Sequence, residues 1–183
     1  MVRVAVIGGA GKSGSMSLAA ARQVGAAAAN RAGQAATDET AAADARRQRV
    51  RTVGVVPVQQ EAARLLEVGL ADHVALADAR DPVGLAAAVE GALGGPADVT
   101  VVCVDVPGCE HGAILATAEG GTVIFFSMAT SFSAAALGAE GLAADVTMLV
   151  GNGYVPGHAG YAMNLLRSDA AVRTLFERRL AAE

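Results

Sequence analysis

The sequence lacks several things, and each absence excludes a class. An excess of basic residues is lacking: 14 Lys and Arg face 18 Asp and Glu, a net charge of −4. A phosphate backbone or an anionic bilayer is therefore not an expected partner. No stretch approaches the ~20 large apolar residues of a membrane span. Two cysteines, Cys103 and Cys109, make no disulfide framework. The start, Met1-Val2-Arg3-Val4-Ala5-Val6, runs directly into strand-like sequence, so no signal peptide is expected. These features together predict a cytoplasmic protein. Lysine is almost missing: Lys12 stands alone against thirteen arginines, in a chain with 43 alanines and 22 glycines. That bias predicts a GC-rich, bacterial source, and it singles out Lys12. At 183 residues, 53% hydrophobic and 17% charged, the chain suits one domain with a full core and is neither a disordered tail nor a nucleic-acid arm.

What is present alternates. Continuous apolar runs at Val2–Ile7, Val50–Val56, Asp72–Leu76, Val99–Val104, Thr122–Phe126 and Val146–Gly151 predict six strands. Helical patterns at Lys12 to about Val24, Glu61–Val68, Val83–Leu93, Cys109–Glu119, Ser133–Gly138 and Ser168–Leu180 fall between or after them. Strands without internal alternation, separated by helices, are those of a mostly parallel sheet covered on both faces. The expected fold is a single doubly wound α/β domain over residues 1–183. Residues 25–48 interrupt it: they are Ala-rich, carry Asp38, Glu39 and Asp44, and contain no large apolar side chain. They read as an insertion, a solvated helix or a loop, with nothing to anchor it in a core.

The chemistry is concentrated in Val6-Ile7-Gly8-Gly9-Ala10-Gly11-Lys12-Ser13-Gly14. Gly9-x-Gly11-x-x-Gly14 follows a strand and opens a helix, the context of a dinucleotide-binding loop. Glycine permits the turn, lets a pyrophosphate approach the backbone, and lets helix lie close to strand. The phosphates would rest on the helix N-terminus, with Lys12 and Ser13 beside them. Two rivals share these residues. Gly11-Lys12-Ser13 resembles the end of a phosphate-binding P-loop of an NTPase, with Asp105 as its acid, but the position needing the earlier glycine holds Val6. A glycine turn that binds nothing is the other. The Tyr-x-x-x-Lys pair of short-chain reductases is absent: four residues after Tyr154 and Tyr161 stand His158 and Leu165.

The second strand ends Val55-Val56-Pro57-Val58-Gln59-Gln60, without the acid that bonds the adenosine ribose in NAD sites. No arginine stands there to receive a 2′-phosphate either; Arg64 follows one helical turn on. This position selects neither NAD nor NADP. Ligands of parallel sheets bind at the carboxyl ends of strands. That places Val56, Asp78, Asp105-Val106, Ser127-Met128 and Asn152-Gly153 as further cofactor-binding candidates. Cys109 and His111 lack zinc-ligand spacing, so no metal is expected. Cys103 and His73 read as structural, and His158, in a loop after the last strand, is the weak acid–base candidate.

Four runs carry a family resemblance: Gly8-Gly9-Ala10-Gly11-Lys12-Ser13-Gly14-Ser15, Val102-Cys103-Val104-Asp105-Val106-Pro107, Gly120 through Phe132 with its Phe-Phe-Ser-Met-Ala-Thr-Ser-Phe, and Asp145 through Tyr154 with its Gly-Asn-Gly-Tyr. In these the chain resembles the L-erythro-3,5-diaminohexanoate dehydrogenase family, over nearly all its length outside 25–48. The resemblance implies a Rossmann domain like that of medium-chain dehydrogenases, NAD or NADP as cofactor, and oxidative deamination of a 3-amino acid to the 3-keto acid in lysine degradation. It also implies an N-terminal substrate domain and a total length about twice this one. The chain is thus expected to be the cofactor half of an oxidoreductase, with the missing substrate domain or further copies of itself as partners. The alternative is a stand-alone nucleotide-binding or sensing module without turnover.

Overall fold

The computed structural model describes residues 1–34, 49–151 and 155–181. Six strands, β1 (Val2–Ile7), β2 (Val50–Val56), β3 (His73–Leu76), β4 (Ala97–Val102), β5 (Thr117–Phe125) and β6 (Thr147–Val150), form one sheet in the order β3-β2-β1-β4-β5-β6. Every pairing is parallel, with Val2 opposite Val50, Val4 opposite Val99 and Val53 opposite His73. Among the described residues seven helices join or cover the strands: α1 (Lys12–Gln34), α2 (Gln59–Val68), α3 (Pro82–Leu93), α4 (Glu110–Leu115), α5 (Phe132–Gly141), α6 (His158–Ser168) and α7 (Ala170–Leu180). The doubly wound α/β expectation is met, and the sheet is wholly rather than mostly parallel.

Successive strand residues point to opposite faces, and the core divides accordingly. Ala5 and Ile7 of β1 join Val53, Val55, Leu85, Val89, Ile114, Val123 and Phe125 under α3, α4 and α5. Val4 and Val6 join Leu18, Leu65, Leu70, Leu165, Val172 and Leu175 under α1, α2, α6 and α7. Each fully buried Leu or Val contributes roughly 1.5–3 kcal/mol relative to exposure. Both layers therefore fix the height of β1, and with it the loop at its carboxyl end. Side-chain hydrogen bonds tie neighbouring elements of the sheet. The Thr117 hydroxyl donates to Thr100 Oγ1 at 2.7 Å. The Asp72 carboxylate receives Thr52 N–H at 2.7 Å and its hydroxyl at 2.9 Å, tying β2 to the turn before β3.

Several boundaries differ from the sequence reading. Helix α1 does not stop near Val24 but runs to Gln34. Gly25 and Ala28 hold it by close approach rather than by bulk: Ala28 is fully buried, and a Cβ on Gly25 would stand 3.2 Å from Val50 Cβ. The rest of the expected insertion, 35–48, lies outside the described residues. The helix expected over Cys109–Glu119 ends at Leu115, because Thr117 already pairs with Ala97 in β5. Gly120, at φ +71°, lets that strand bend between its two pairing registers. The closing helix expected at Ser168–Leu180 starts at Ala170, and an unexpected helix, His158–Ser168, precedes it across Asp169. The Asp169 carboxylate accepts from Ala171 and Val172 N–H, at 2.9 and 3.3 Å, and so starts α7 afresh.

Candidate cofactor site

The glycine loop joins β1 to α1. Its entry is pinned by Gly8 N–H and Gly9 N–H, which both donate to the Val55 carbonyl of β2, at 2.9 and 3.1 Å. Gly8 takes φ +83°, a conformation that disfavours other residues. The chain then turns back so that Gly11 N–H donates to the Gly8 carbonyl at 2.9 Å. A Cβ on Gly14 would overlap that same carbonyl, and one on Gly9 would lie 2.9 Å from Gly54 Cα. A Cβ on Gly11 would meet only the Gly8 oxygen, at 3.1 Å. The three glycines of the motif thus hold strand, turn and helix in backbone contact. The first turn of α1, with Lys12 and Ser13, faces outward with the free N–H groups of any helix start.

This loop stands where the strand order reverses, between β1 and β4, the position at which doubly wound sheets open a crevice. Two adjoining lobes fill it. One, of about 580 Å³, is lined by Gly8, Ala10, Gly11, Lys12, Pro57, Glu61, Arg64, Asp105, Val106, Arg178 and Arg179, among others. The other, of about 570 Å³, lies toward β3 and is lined by Val56, Pro57, Asp78, Arg80, Val104, Asp105, Val106 and their neighbours. Gly11, Lys12, Val56, Asp78, Asp105 and Val106 are therefore gathered at one crevice, while Gly9 and Gly14 shape the loop from behind. Asp105 lies three residues past the end of β4, because that strand stops at Val102 rather than Val104. Asp78 is ion-paired with Arg80 at 3.0 Å, and Arg80's hydrogen bonds hold its carboxyl below the usual range.

The remaining candidates lie elsewhere. Ser13 lines a separate apolar groove of about 550 Å³ with Met16, Val101, Ile124, Phe126, Tyr161 and Phe176. Ser127 and Met128 follow β5 but line neither lobe; the Ser127 hydroxyl receives Ala129 N–H at 3.1 Å, and Met128 is 86% exposed. His158, expected in a loop, instead opens α6. It is exposed, with Nδ1 2.8 Å from the Val155 carbonyl, and does not line the crevice. Asn152 and Gly153 lie outside the described residues. Among the described residues no three His, Cys, Asp or Glu side chains gather as metal ligands would. No described helix is long and apolar enough to cross a membrane.

Two groups of residues escaped the sequence reading. Arg178 and Arg179 reach the crevice from the last turn of α7, far away along the chain, so no local motif announces them. Glu110, the first residue of α4, is fully buried, and its Oε1 accepts from Ser131 N–H at 2.7 Å. Acidic residues are rarely buried without a role, yet in sequence Glu110 looks like any helix-start acid.

Cys109 is buried, whereas Cys103 is half-buried and lines the crevice. Burial and the neighbouring Glu110 push the Cys109 thiol up to about 11. Burial raises Cys103 as well, against a weak contact with Ser17. At pH 8 roughly one Cys109 in a thousand is thiolate, the reactive form. A thiol-exchange assay should therefore show Cys109 silent in the native protein and reacting fully in urea. Rapid native reaction at Cys109 would show the pocket around it to be open.

No protein-family model matches the chain. It is 46% identical, over 129 residues, to L-erythro-3,5-diaminohexanoate dehydrogenase of Acetoanaerobium sticklandii, covering 70% of this chain and 38% of that protein. The enzyme of the same name from Fusobacterium nucleatum is 43% identical over 127 residues, 69% of this chain and 37% of the relative. The chain thus spans under two-fifths of the length of these curated relatives. Among solved structures it superposes on a chain assigned as a zinc-binding dehydrogenase from Clostridium scindens, with a TM-score of 0.60 and 16% identity, covering 93% of this chain and 41% of that one. Superposition on the D-arabinose dehydrogenase of Sulfolobus solfataricus gives 0.52 at 14% identity, with 93% and 44% covered. At such identity these likenesses concern the fold. By fold the chain is a Rossmann-like α/β domain, and over about 70% of its length it is similar in sequence to L-erythro-3,5-diaminohexanoate dehydrogenases.

Proposed function

We propose that this chain binds a nicotinamide dinucleotide, NAD or NADP, and is the cofactor half of an oxidoreductase that oxidatively deaminates a 3-amino acid of the 3,5-diaminohexanoate type, in lysine degradation. The observation that carries this reading is the backbone cradle of Gly8, Gly11 and Gly14 at the strand-order reversal. A side chain is excluded at Gly8 and Gly14, and a helix N-terminus opens beside them. The donor set fits the group. Helix N–H groups and Lys12 suit a pyrophosphate, Val56 and Pro57 offer an apolar wall for an adenine, and Asp78 and Asp105 offer acceptors for hydroxyls. The P-loop reading is not favoured, because Val6 is a fully buried strand residue and the turn that follows is too short to wrap a phosphate chain.

When bound, the nicotinamide ring supplies the hydride chemistry. The chain's own residues bind and orient. Gly8 and Gly11 admit the pyrophosphate to the backbone, Lys12 balances its charge, and Asp105 and Val106 wall the crevice beyond it. We assign Ser127, Met128, Asn152 and Gly153 to the nicotinamide side, from their places after β5 and β6. Selection of an amine substrate, and a base to take its proton, need a second wall against the reacting carbon, which we assign to a substrate domain.

Titration with NADH, NADPH and ATP–Mg, followed by nicotinamide fluorescence and calorimetry, tests the reading. A nicotinamide dinucleotide should bind and raise the melting temperature, and the purified chain should give no measurable turnover of 3,5-diaminohexanoate. Tight ATP–Mg binding with no response to either dinucleotide would overturn the cofactor assignment. Robust turnover by the 183 residues would show that the loops after β4, β5 and β6 form a complete site.

A further inference from the structure

We propose that Glu110 is a positioning residue for the nicotinamide end of the cofactor: its carboxylate sets the loop 127–131, after β5, against the ring. This rests on the dinucleotide reading above and goes beyond it by naming a buried group that touches no ligand yet shapes one wall of the site. Glu110 opens α4, and the crevice wall Asp105–Val106 leads into it along the chain. Helix α4 is a firm base. Cys109, Ala113 and Ile114 are fully buried, and a Cβ on Gly112 would stand 3.2 Å from Pro82 Cα of α3.

From this base the carboxylate reaches across to the next helix. Its Oε1 accepts from Ser131 N–H at 2.7 Å, and the Ser131 hydroxyl accepts from Ala134 N–H to cap α5. His111, the next residue of α4, meets α5 at Gly138, where a Cβ would lie 3.0 Å from His111 Cδ2. The loop before Ser131 is shaped from within: Ala129 N–H donates to Ser127 Oγ at 3.1 Å, and Thr130 N–H to the Ser127 carbonyl at 3.3 Å. Those bonds give the loop a form but not a place. Phe126 N–H, donating to the Val102 carbonyl of β4 at 3.0 Å, places its start, and Glu110 places its end. Met128 and Phe132, both well exposed, are presented at the carboxyl end of β5, where a parallel sheet receives its ligand.

An acid is a costly choice for a buried position. Glu110 is fully enclosed and its Oε2 has no hydrogen-bond partner, and burying an incompletely paired charge lowers stability. In return the carboxylate makes a charge-assisted hydrogen bond, stronger than a neutral one, at a helix start that favours negative charge. An apolar residue would remove the orphan oxygen but leave Ser131 N–H unpaired and the end of the loop unplaced. The chain thus gives up stability here for a defined loop position, as expected where a ligand must meet a preformed wall.

Calorimetric titration separates placement of the loop from general stability. Whichever of NADH and NADPH binds the wild type more tightly is compared with the ADP-ribose form that lacks only its nicotinamide. Glu110→Ala should weaken the dinucleotide by about tenfold and the ADP-ribose form by less than about twofold. Glu110→Gln, which keeps an acceptor for Ser131 N–H, should hold dinucleotide binding within about threefold of wild type. If the alanine variant does not fold, Glu110→Asp, whose carboxylate is drawn back by one methylene, should show the same split between the two ligands. Equal losses for both ligands, or no loss for either, would overturn the positioning role and leave the dinucleotide reading standing. So would a wild type that binds the ADP-ribose form as tightly as the dinucleotide. Binding of neither ligand to the wild type would overturn the dinucleotide reading itself.

Discussion

Gly14→Ala is expected to destabilise the fold by about 2–3 kcal/mol, the upper part of the range for forced overpacking, and Gly11→Ala to leave stability nearly unchanged. The contrast follows from where each added methyl would go. At Gly14 it overlaps the Gly8 carbonyl oxygen and lies within 2.9 Å of Gly9 Cα. Both are backbone, and Gly8 is held to β2 through the Val55 carbonyl, so α1 must move off the strand. At Gly11 the methyl meets one oxygen at 3.1 Å, a distance closed by a shift of a few tenths of an ångström. It then stands over the turn, where the pyrophosphate would approach. Urea unfolding and NADPH titration measured on both variants check the pair. Gly14→Ala should lose stability and binding together, whereas Gly11→Ala should lose binding by about tenfold or more at wild-type stability. Wild-type stability for Gly14→Ala would disprove the helix–loop contact.

Glu110→Ala is expected to cost about 2–4 kcal/mol, and Glu110→Gln less than about 1 kcal/mol. The carboxylate is fully buried. Its Oε1 accepts from Ser131 N–H, the N-cap residue of α5, whose own hydroxyl accepts from Ala134 N–H at 3.2 Å. A negative charge at that helix start is favourable, and through it α4 fastens the segment 127–131 that follows β5. Alanine leaves Ser131 N–H without its acceptor and opens a void. Glutamine keeps an acceptor oxygen in the same place, and its amide stands where Oε2 has no partner. Chemical denaturation of both variants is the measurement. An alanine variant within about 0.5 kcal/mol of wild type would show that the 127–131 segment is held by something else.

The sheet and the glycine loop were legible because their causes are local. A continuously apolar strand such as Val2–Ile7 needs cover on both faces, and glycines after it need a turn. Helix ends were less legible. Gly120-Gly121 reads as a helix stop, so Thr117–Glu119 was assigned to the helix before it, although Thr117 is held in β5 by Ala97, twenty residues earlier in the chain. Residues 25–34 looked unanchored because small side chains carry little apolar area; the close fit of Gly25 against Val50 belongs to the assembled sheet. His158–Ser168 was missed because its face toward the core is narrow, with Leu165 its one fully buried residue. The site was legible on the side of Gly11, Lys12 and Asp105. Arg179 and Glu110 were not, since each acts on a partner whose position only the tertiary fold decides.

The hydrogen bond from Arg179 to the Ala10 carbonyl spans 169 positions of the chain. On a ribosome, residues 8–14 leave the exit tunnel long before residue 179 exists. A contact of this sequence separation closes only after most of the chain has been ordered. The glycine turn can thus fold early against β2, whereas the guanidinium that borders it is made 169 positions later. Nascent chains stalled before α7 would carry the turn without its partner.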